Sequence, residues 1–118
     1  YEPESDEHSK YWQLQYRIEA LVALQNLVSN TMDAGNFAKI KSPVFLAYYY
    51  KNEEEQDKVV SVPAMLDMFE NLGTSPELKR KVAFPNAGNH VIASYIRTKD
   101  WQNVENETCK FLDDIVKL

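Results

Sequence analysis

The sequence predicts an α/β fold: two short parallel strands in a βαβ unit, with flanking helices. Two short apolar runs, residues 44–50 and 81–84, have the length and composition of strands. The stretch between them repeats apolar residues at helical spacing. A strand–helix–strand order requires parallel strands and a right-handed connection. With helical patterns on either side, the predicted order is helix, strand, helix, strand, helix, helix.

Composition excludes several functional classes. The 118 residues contain 13 Lys and Arg against 18 Asp and Glu, a net charge of −5. No basic segment suits nucleic-acid phosphates, and no apolar run approaches the roughly 20 residues of a membrane span. The single cysteine, Cys109, excludes an internal disulfide and a multi-thiolate metal site. We therefore expect no nucleic-acid partner, no membrane span, and neither a metal nor a cofactor.

The N-terminal third is predicted to be helical. Residues 1–8 form an acidic lead-in, in which His8 is expected to be exposed. One helix then runs from about Ser9, because a buried stripe recurs at steps of three and four: Leu14, Ile18, Leu21, Leu24, Val28 and Met32. Gly35 is expected to end this helix in a left-handed conformation. The helical region spans residues 9–36.

The first strand suggests a larger sheet. Residues 44–50 are a continuous apolar run, typical of a strand buried on both faces of a parallel sheet. Only one neighbouring strand is encoded. We therefore expect the chain to be the last part of a larger α/β domain whose other strands precede Tyr1. The absence of an initial Met and of a signal peptide agrees with this expectation.

The remaining elements follow from local signals. Ser61 is predicted to cap the crossover helix, which ends at Gly73. After the second strand and a turn, we expect one helix at residues 90–97 and a last helix from about Val104. Residues 9–118 are taken as a single α/β domain.

Asp57 and His90 are the candidate catalytic residues. Asp57 lies in the loop after the first strand, and His90 lies in the loop after the second. Parallel strands bring both loops to the same edge of the sheet, so we expect the two side chains within about 6 Å of each other. A carboxylate that accepts a hydrogen bond from Nδ1–H leaves Nε2 free to act as a general base.

Other acids in the same loop compete for this role. Glu53, Glu54 and Glu55 also follow the first strand, but a charged run is usually solvated. Asp57 is preferred because the neighbouring apolar pair, residues 59–60, is expected to pin the loop.

Several polar residues have plainer explanations. His90 could merely cap a helix. Cys109 is expected to be a partly buried packing residue. Ser61 and Ser94 are the hydroxyls nearest to the predicted site in sequence, and we expect both to have structural roles.

Three segments together resemble a known family. They are residues 43–50, then Gln-Asp-Lys-Val-Val at 56–60, then Ala-Gly-Asn-His at 87–90. In this order they look like the C-terminal third of an α/β-hydrolase, and the resemblance covers about residues 37–118. It implies a C-terminal fragment of an α/β-hydrolase sheet.

The resemblance also implies residue roles. Asp57 matches the triad acid and His90 the triad histidine of a serine hydrolase. The parent protein would act on a small carboxylic ester or a related acyl bond. Residues 9–36 correspond to the position where this family often inserts cap or lid helices.

The chain departs from the family at the nucleophile. Glycines occur only at 35, 73 and 88, so the Gly-x-Ser-x-Gly motif is absent from these residues, as are the oxyanion-hole donors. We expect the isolated chain to be inactive. The alternative is a non-catalytic α/β module, or a degenerate hydrolase-like protein, that associates through an exposed sheet edge.

Association is expected in either case. Either the free edge of the first strand or the apolar stripe of the N-terminal helix would be buried by a second copy or by the upstream part of the protein. The alternative is that this helix folds over the edge within one chain.

Overall fold

The computed structural model describes residues 5–13 and 15–117. It is of the mixed α/β class and consists of two compact units, one ending at Asp33 and the other beginning at Ala34. Within the described ranges, no helix combines the length and the apolar character that crossing a lipid bilayer requires.

The first unit contains two helices instead of the predicted single one. Helix α1 is Asp6–Tyr11 and helix α2 is Ile18–Thr31, with non-helical residues between them. Aromatic residues are weaker helix formers than Leu or Ala, and Trp12 and Tyr16 lie in this break. The prediction that this helix has a buried stripe is wrong, because α2 has no buried residue. Leu14, assigned to that stripe, lies outside the described residues.

Helix α1 begins earlier than predicted and includes part of the acidic lead-in. The Ser5 hydroxyl accepts the N–H of His8 at 3.0 Å, which caps the helix. Asp6 and Glu7 then occupy the first turn, where the helix dipole favours negative charge. His8 is 1% exposed, so the expectation of an exposed side chain is wrong. Residues 1–4 of the lead-in lie outside the described residues.

Gly35 does not terminate the N-terminal helix. Helix α2 ends at Thr31, and the Met32 N–H closes its last turn on the Val28 carbonyl at 3.0 Å. Gly35 lies inside a short helix, α3, Ala34–Phe37. Because a new helical turn begins almost at once, no left-handed residue is needed there.

The second unit is organised around a parallel βαβ unit, as predicted. Strand β1, Val44–Tyr48, pairs in parallel with strand β2, Lys79–Ala83. Helix α4, Val62–Asn71, connects them, and its N-cap Ser61 accepts the Ala64 N–H at 3.3 Å. Strand β1 is only half-buried along its length, because among the described residues it pairs with β2 alone. The expectation of burial on both faces is therefore not met within this part of the chain.

One face of the sheet packs against the last helix, α5, Trp101–Phe111. The buried cluster under this helix contains Tyr49, Phe84, Ala87 and Val104. The Phe45 ring of β1 stacks on Phe111 with centroids 5.3 Å apart. A π-helical turn, Leu112–Val116, extends α5. The predicted C-terminal helix is present and begins three residues earlier than expected.

Helix α4 contacts the lysines of β2. Lys79 and Lys81 extend over the Phe69 ring, at 4.8 and 5.1 Å from its centroid. Lys79 also donates to the Phe69 carbonyl at 2.8 Å, and Lys81 pairs with Glu70 at 2.6 Å. These contacts give the lysines of β2 partners, and the strand starts at Lys79, two residues before the apolar run that predicted it.

Gly73 permits a close backbone approach after α4. A Cβ atom at this position would lie 2.0 Å from the Ala38 carbonyl oxygen, an impossible contact. The Gly73 N–H donates to the Phe37 carbonyl at 3.2 Å, which ties the end of α4 to α3. Glycine is required here because the two backbone segments touch.

The predicted helix at residues 90–97 is wrong; the segment consists of turns. The Asn89 side chain accepts the Val91 N–H at 2.9 Å, and the Ser94 carbonyl accepts the N–H groups of Arg97 and Thr98. Short polar side chains that bond to nearby backbone groups compete with helix formation.

Candidate active site

The carboxyl ends of the two parallel strands lie side by side. Immediately after β2, the Phe84 N–H donates to the Tyr48 carbonyl at 2.8 Å and extends the pairing by one residue. After β1, an isolated antiparallel bridge joins Tyr50 to Gln56 and brings the loop back on itself. The Asp57 N–H then donates to the Tyr49 carbonyl at 3.1 Å. These backbone bonds fix Asp57 beside the end of β1.

The polar residues of the loop stabilise its own shape. Asn52 Oδ1 accepts the N–H groups of Glu54 and Glu55 at 3.0 and 2.8 Å. Lys51 pairs with Glu55 at 2.8 Å, and the hydrogen bond from Lys51 holds the pKa of Glu55 below its usual value. Glu53 accepts the Tyr50 hydroxyl at 3.0 Å. Of the loop acids, Asp57 is the one hydrogen-bonded to His90, as the sequence predicted.

The carboxylate of Asp57 is buried and accepts three hydrogen bonds from described residues. Its residue is 7% exposed. One oxygen, Oδ2, lies 2.5 Å from Nδ1 of His90. The other, Oδ1, accepts the N–H groups of Val59 and Val60 at 2.8 and 3.0 Å. The predicted proximity of Asp57 and His90 is confirmed; their catalytic roles stay a prediction.

The protonation state of this pair follows from the contacts. Burial raises the pKa of Asp57, but the hydrogen bonds from His90, Val60 and Val59 outweigh it, so the pKa lies below its usual value. Asp57 is therefore ionised at neutral pH, and a carboxylate can only accept hydrogen bonds. The shared proton accordingly lies on Nδ1 of His90.

The other ring nitrogen of His90 is open. Nε2 has no hydrogen-bond partner among residues 5–13 and 15–117, and the side chain is 40% exposed. In the neutral ring with a proton on Nδ1, Nε2 carries the lone pair. Nε2 of His90 can therefore accept a proton from a group that approaches from the solvent side.

Residues 59–60 pin the loop in a different way from that expected. The side chain of Val59 is exposed, at 73%, and Val60 is also exposed, so the pair is not an apolar anchor. The backbone N–H groups of the two residues hold the Asp57 carboxylate instead. This turn, in which an Asp side chain accepts the N–H groups two and three residues later, orients the carboxylate towards His90.

The loop that carries His90 is shaped by a left-handed glycine. Gly88 has φ = +67°, and a Cβ atom there would meet nothing within 4 Å. Before it, Phe84 is fully buried and its carbonyl accepts the Ala87 N–H at 3.3 Å. The sharp turn between this anchor and His90 therefore depends on backbone conformation and not on space for a side chain.

A shallow depression of about 240 Å³ lies beside His90. Its lining comprises Tyr49, Glu54, Glu55, Gln56, Lys58, Gly88, Asn89 and His90. Small-molecule sites usually measure about 300–1,000 Å³. The depression is therefore large enough for part of a substrate only.

The other candidate residues have different positions. Ser61 caps α4, and the Ser94 hydroxyl accepts the Ile96 N–H at 3.4 Å. Neither serine is hydrogen-bonded to His90. Cys109 is exposed instead of partly buried, and it lines a separate depression of about 420 Å³ with Trp101 and other α5 residues. Within the described ranges no cluster of His, Cys, Asp and Glu side chains is suited to a metal ion.

Sequence reasoning missed two residues that position the site. The Tyr49 carbonyl holds the Asp57 backbone, and buried Phe84 anchors the chain before the His90 loop. Both belong to the apolar runs that predicted the strands, so a search for polar groups passes over them. Each lies directly after the end of a strand, which is the signal that could have identified it.

Comparisons of the chain with protein-family models, with curated proteins and with solved structures found no match. The chemistry of the site therefore has to be inferred from its own geometry.

Proposed function

We propose that Asp57 and His90 are the acid and the general base of a serine-hydrolase triad, in the C-terminal part of an α/β-hydrolase. The substrate class is a carboxylic ester or a related acyl compound. The observation that carries this proposal is the hydrogen bond between Nδ1 of His90 and the buried Asp57 carboxylate, with Nε2 open. No serine nucleophile is assigned within residues 1–118.

Each half of the pair has a defined task. Asp57 accepts a hydrogen bond from Nδ1–H of His90, which selects the tautomer, and it stabilises the positive charge that His90 acquires. Nε2 of His90 takes the proton of a serine hydroxyl while the serine oxygen attacks the acyl carbon. The imidazolium then gives this proton to the departing alkoxide, which leaves as an alcohol, and the acyl group stays bonded to the serine oxygen. In the second half-reaction, Nε2 takes a proton from a water molecule whose oxygen attacks the same acyl carbon; the acyl–serine bond breaks, the carboxylic acid leaves, and the proton returns to the serine oxygen.

The strand topology supports the proposal. Catalytic groups of open parallel sheets come from loops at the carboxyl ends of strands, and both residues follow such ends. The backbone N–H groups that hold Asp57 also support it, since a fixed carboxylate orients the imidazole more strongly than a mobile one. The small depression agrees with a substrate pocket that further residues complete.

A covalent probe tests this function in the longest reading frame that contains the chain. A fluorophosphonate reacts with a serine only when a general base activates it. We expect one labelled serine outside residues 1–118. Labelling and turnover of p-nitrophenyl esters should both be lost, by at least a hundredfold, in His90→Ala and Asp57→Asn.

Asp113→Asn is the matched control. It removes one negative charge, as Asp57→Asn does, from an exposed side chain that does not line the depression beside His90. This variant should keep the labelling of the parent protein. If the longest reading frame has no labelled serine, or if His90→Ala is labelled as fast as the parent, the hydrolase proposal is wrong. The non-catalytic module would then be the better description.

A further inference from the structure

Helix α2 exposes a broad apolar surface in the part of the chain that the structure describes. Its large apolar residues, with Met32 directly after the helix, are each between 43% and 74% exposed: Ile18, Leu21, Val22, Leu24, Leu27, Val28 and Met32. Soluble proteins rarely expose a contiguous apolar patch above a few hundred Å². An exposed helix of this composition is typical of an interaction surface.

The residues form one broad face. Leu21, Leu24 and Val28 follow one another at steps of three and four, so they lie along one side of the helix. Ile18 and Met32 continue this line at either end. The opposite side carries Glu19, Asn26 and Asn30. We call the seven exposed residues the α2 apolar face.

The polar side chains of α2 do not need an outside partner. The Gln25 amide donates to the Ser29 hydroxyl at 3.0 Å, and the Asn30 amide donates to the Asn26 carbonyl at 2.7 Å. The Thr31 hydroxyl donates to the Leu27 carbonyl at 2.7 Å. A surface that packs on α2 can therefore be apolar as well.

We infer that the α2 apolar face binds the same face of a second copy of this chain. Residues of this size expose roughly 200 Å² when extended, so seven half-exposed ones offer on the order of 700 Å². A stable interface buries about 800 Å² on each partner. One helix face therefore supplies most of the surface that a symmetric dimer needs.

Charge also favours a second copy over a lipid surface. The chain as a whole has a net charge of −5, but Glu19 is the only charged residue in Ile18–Thr31. Two α2 faces can therefore meet without bringing like charges together at their centre. Helices that lie on membranes carry Lys and Arg beside their apolar face, and α2 has none.

The test is the mass of the full 118-residue chain in solution over a hundredfold range of concentration. Sedimentation equilibrium is run with a reductant, because exposed Cys109 could otherwise form an intermolecular disulfide. We expect a reversible change from monomer to dimer. Leu24→Glu should weaken dimerisation at least tenfold, because it introduces a charge into the middle of the face.

Asn26→Glu is the matched control, with the same new charge on the opposite side of α2. It should dimerise as the parent chain does. Far-ultraviolet circular dichroism shows whether each variant keeps its helix content, and Leu24→Gln offers a milder change that should also weaken the dimer. A parent chain that stays monomeric throughout the range would overturn the inference. So would a dimer that Leu24→Glu and Leu24→Gln leave unchanged.

Two further outcomes identify a different occupant. Binding to phosphatidylcholine–phosphatidylserine vesicles that Leu24→Glu abolishes would identify a lipid surface and overturn the inference. A monomer whose α2 amides are strongly protected from hydrogen exchange would show that the same chain covers the helix, and would overturn it too. Neither outcome depends on catalysis, so this inference and the proposed function are tested separately.

Discussion

Replacing Asp57 by alanine should destabilise the second unit by about 2–4 kcal/mol. The substitution removes one hydrogen bond to His90 and two from the N–H groups of Val59 and Val60. Hydrogen bonds to a charged group contribute about 1.5–3 kcal/mol each, and a donor left unpaired in a buried position costs about 1–3 kcal/mol. Water can reach the exposed His90 ring and the Val59 side of the turn and replace part of each lost hydrogen bond, so the expected total lies below the sum of three such contributions.

The substitution Asp57→Asn separates the effect of the carboxylate on stability from its effect on the position of the His90 ring proton. In Asp57→Asn, the amide oxygen can still accept the two backbone N–H groups, so the expected loss is only about 1–2 kcal/mol. Its NH₂ group, however, donates to Nδ1 of His90 and moves the ring proton to Nε2. This variant should therefore be nearly as stable as the parent and yet lack a basic Nε2 on His90.

The assay is urea unfolding followed by Trp101 fluorescence. Trp12→Phe in every protein removes the signal of the first unit, so the remaining tryptophan reports on the unit that contains the site. With a denaturant slope of about 2 kcal/mol per M, Asp57→Ala should lower the midpoint by about 1–2 M. Glu54→Gln should stay within about 0.5 kcal/mol of the parent. If Asp57→Ala matches Glu54→Gln, the carboxylate does not hold the loop and the reasoning fails.

Three other predictions concern the same edge of the sheet. Because hydrogen bonds hold the pKa of Asp57 below its usual value, Asp57 contributes stability above about pH 4 that is lost as the pH falls through the folded pKa. Urea midpoints should therefore fall less steeply with acidification in Asp57→Asn than in the parent, and identical slopes would contradict this. Gly88→Ala should cost about 1–2 kcal/mol in urea unfolding, because φ = +67° strains any residue with a Cβ although space is free; Gly88→Asn should cost less. The isolated chain should not hydrolyse p-nitrophenyl acetate faster than its His90→Ala variant, since one missing oxyanion donor alone costs about 10²–10³ in rate. His90-dependent turnover would show that a nucleophile lies within the 118 residues.

The features of the fold that depend on long-range pattern could be predicted from the sequence. Two apolar runs separated by a helical stretch require parallel strands, and this requirement alone brings Asp57 and His90 together. The Ser61 cap was predictable because Ser followed by Pro near a helix start satisfies the first turn. The polar site thus follows from topology more than from any motif.

Local competition between backbone and side chains could not be predicted in the same way. The apolar residues after His90 suggest a helix, but the Asn89 side chain captures the Val91 N–H and the segment turns instead. Strand β2 begins at Lys79, which pairs with Val44, and two of its lysines extend across Phe69, a contact that hydropathy does not register. The periodicity of α2 indicates an apolar face and does not tell what covers it.

The proton positions on the His90 ring decide whether Asp57 prepares His90 as a base. Nitrogen-15 NMR of the labelled 118-residue chain, at a pH high enough for a neutral ring, distinguishes a protonated from an unprotonated ring nitrogen. We expect a proton on Nδ1 and a bare Nε2 in the parent, and the opposite tautomer in Asp57→Asn. A parent ring with its proton on Nε2, or a ring that Asp57→Asn leaves unchanged, would contradict the claim that Asp57 prepares His90 as a base.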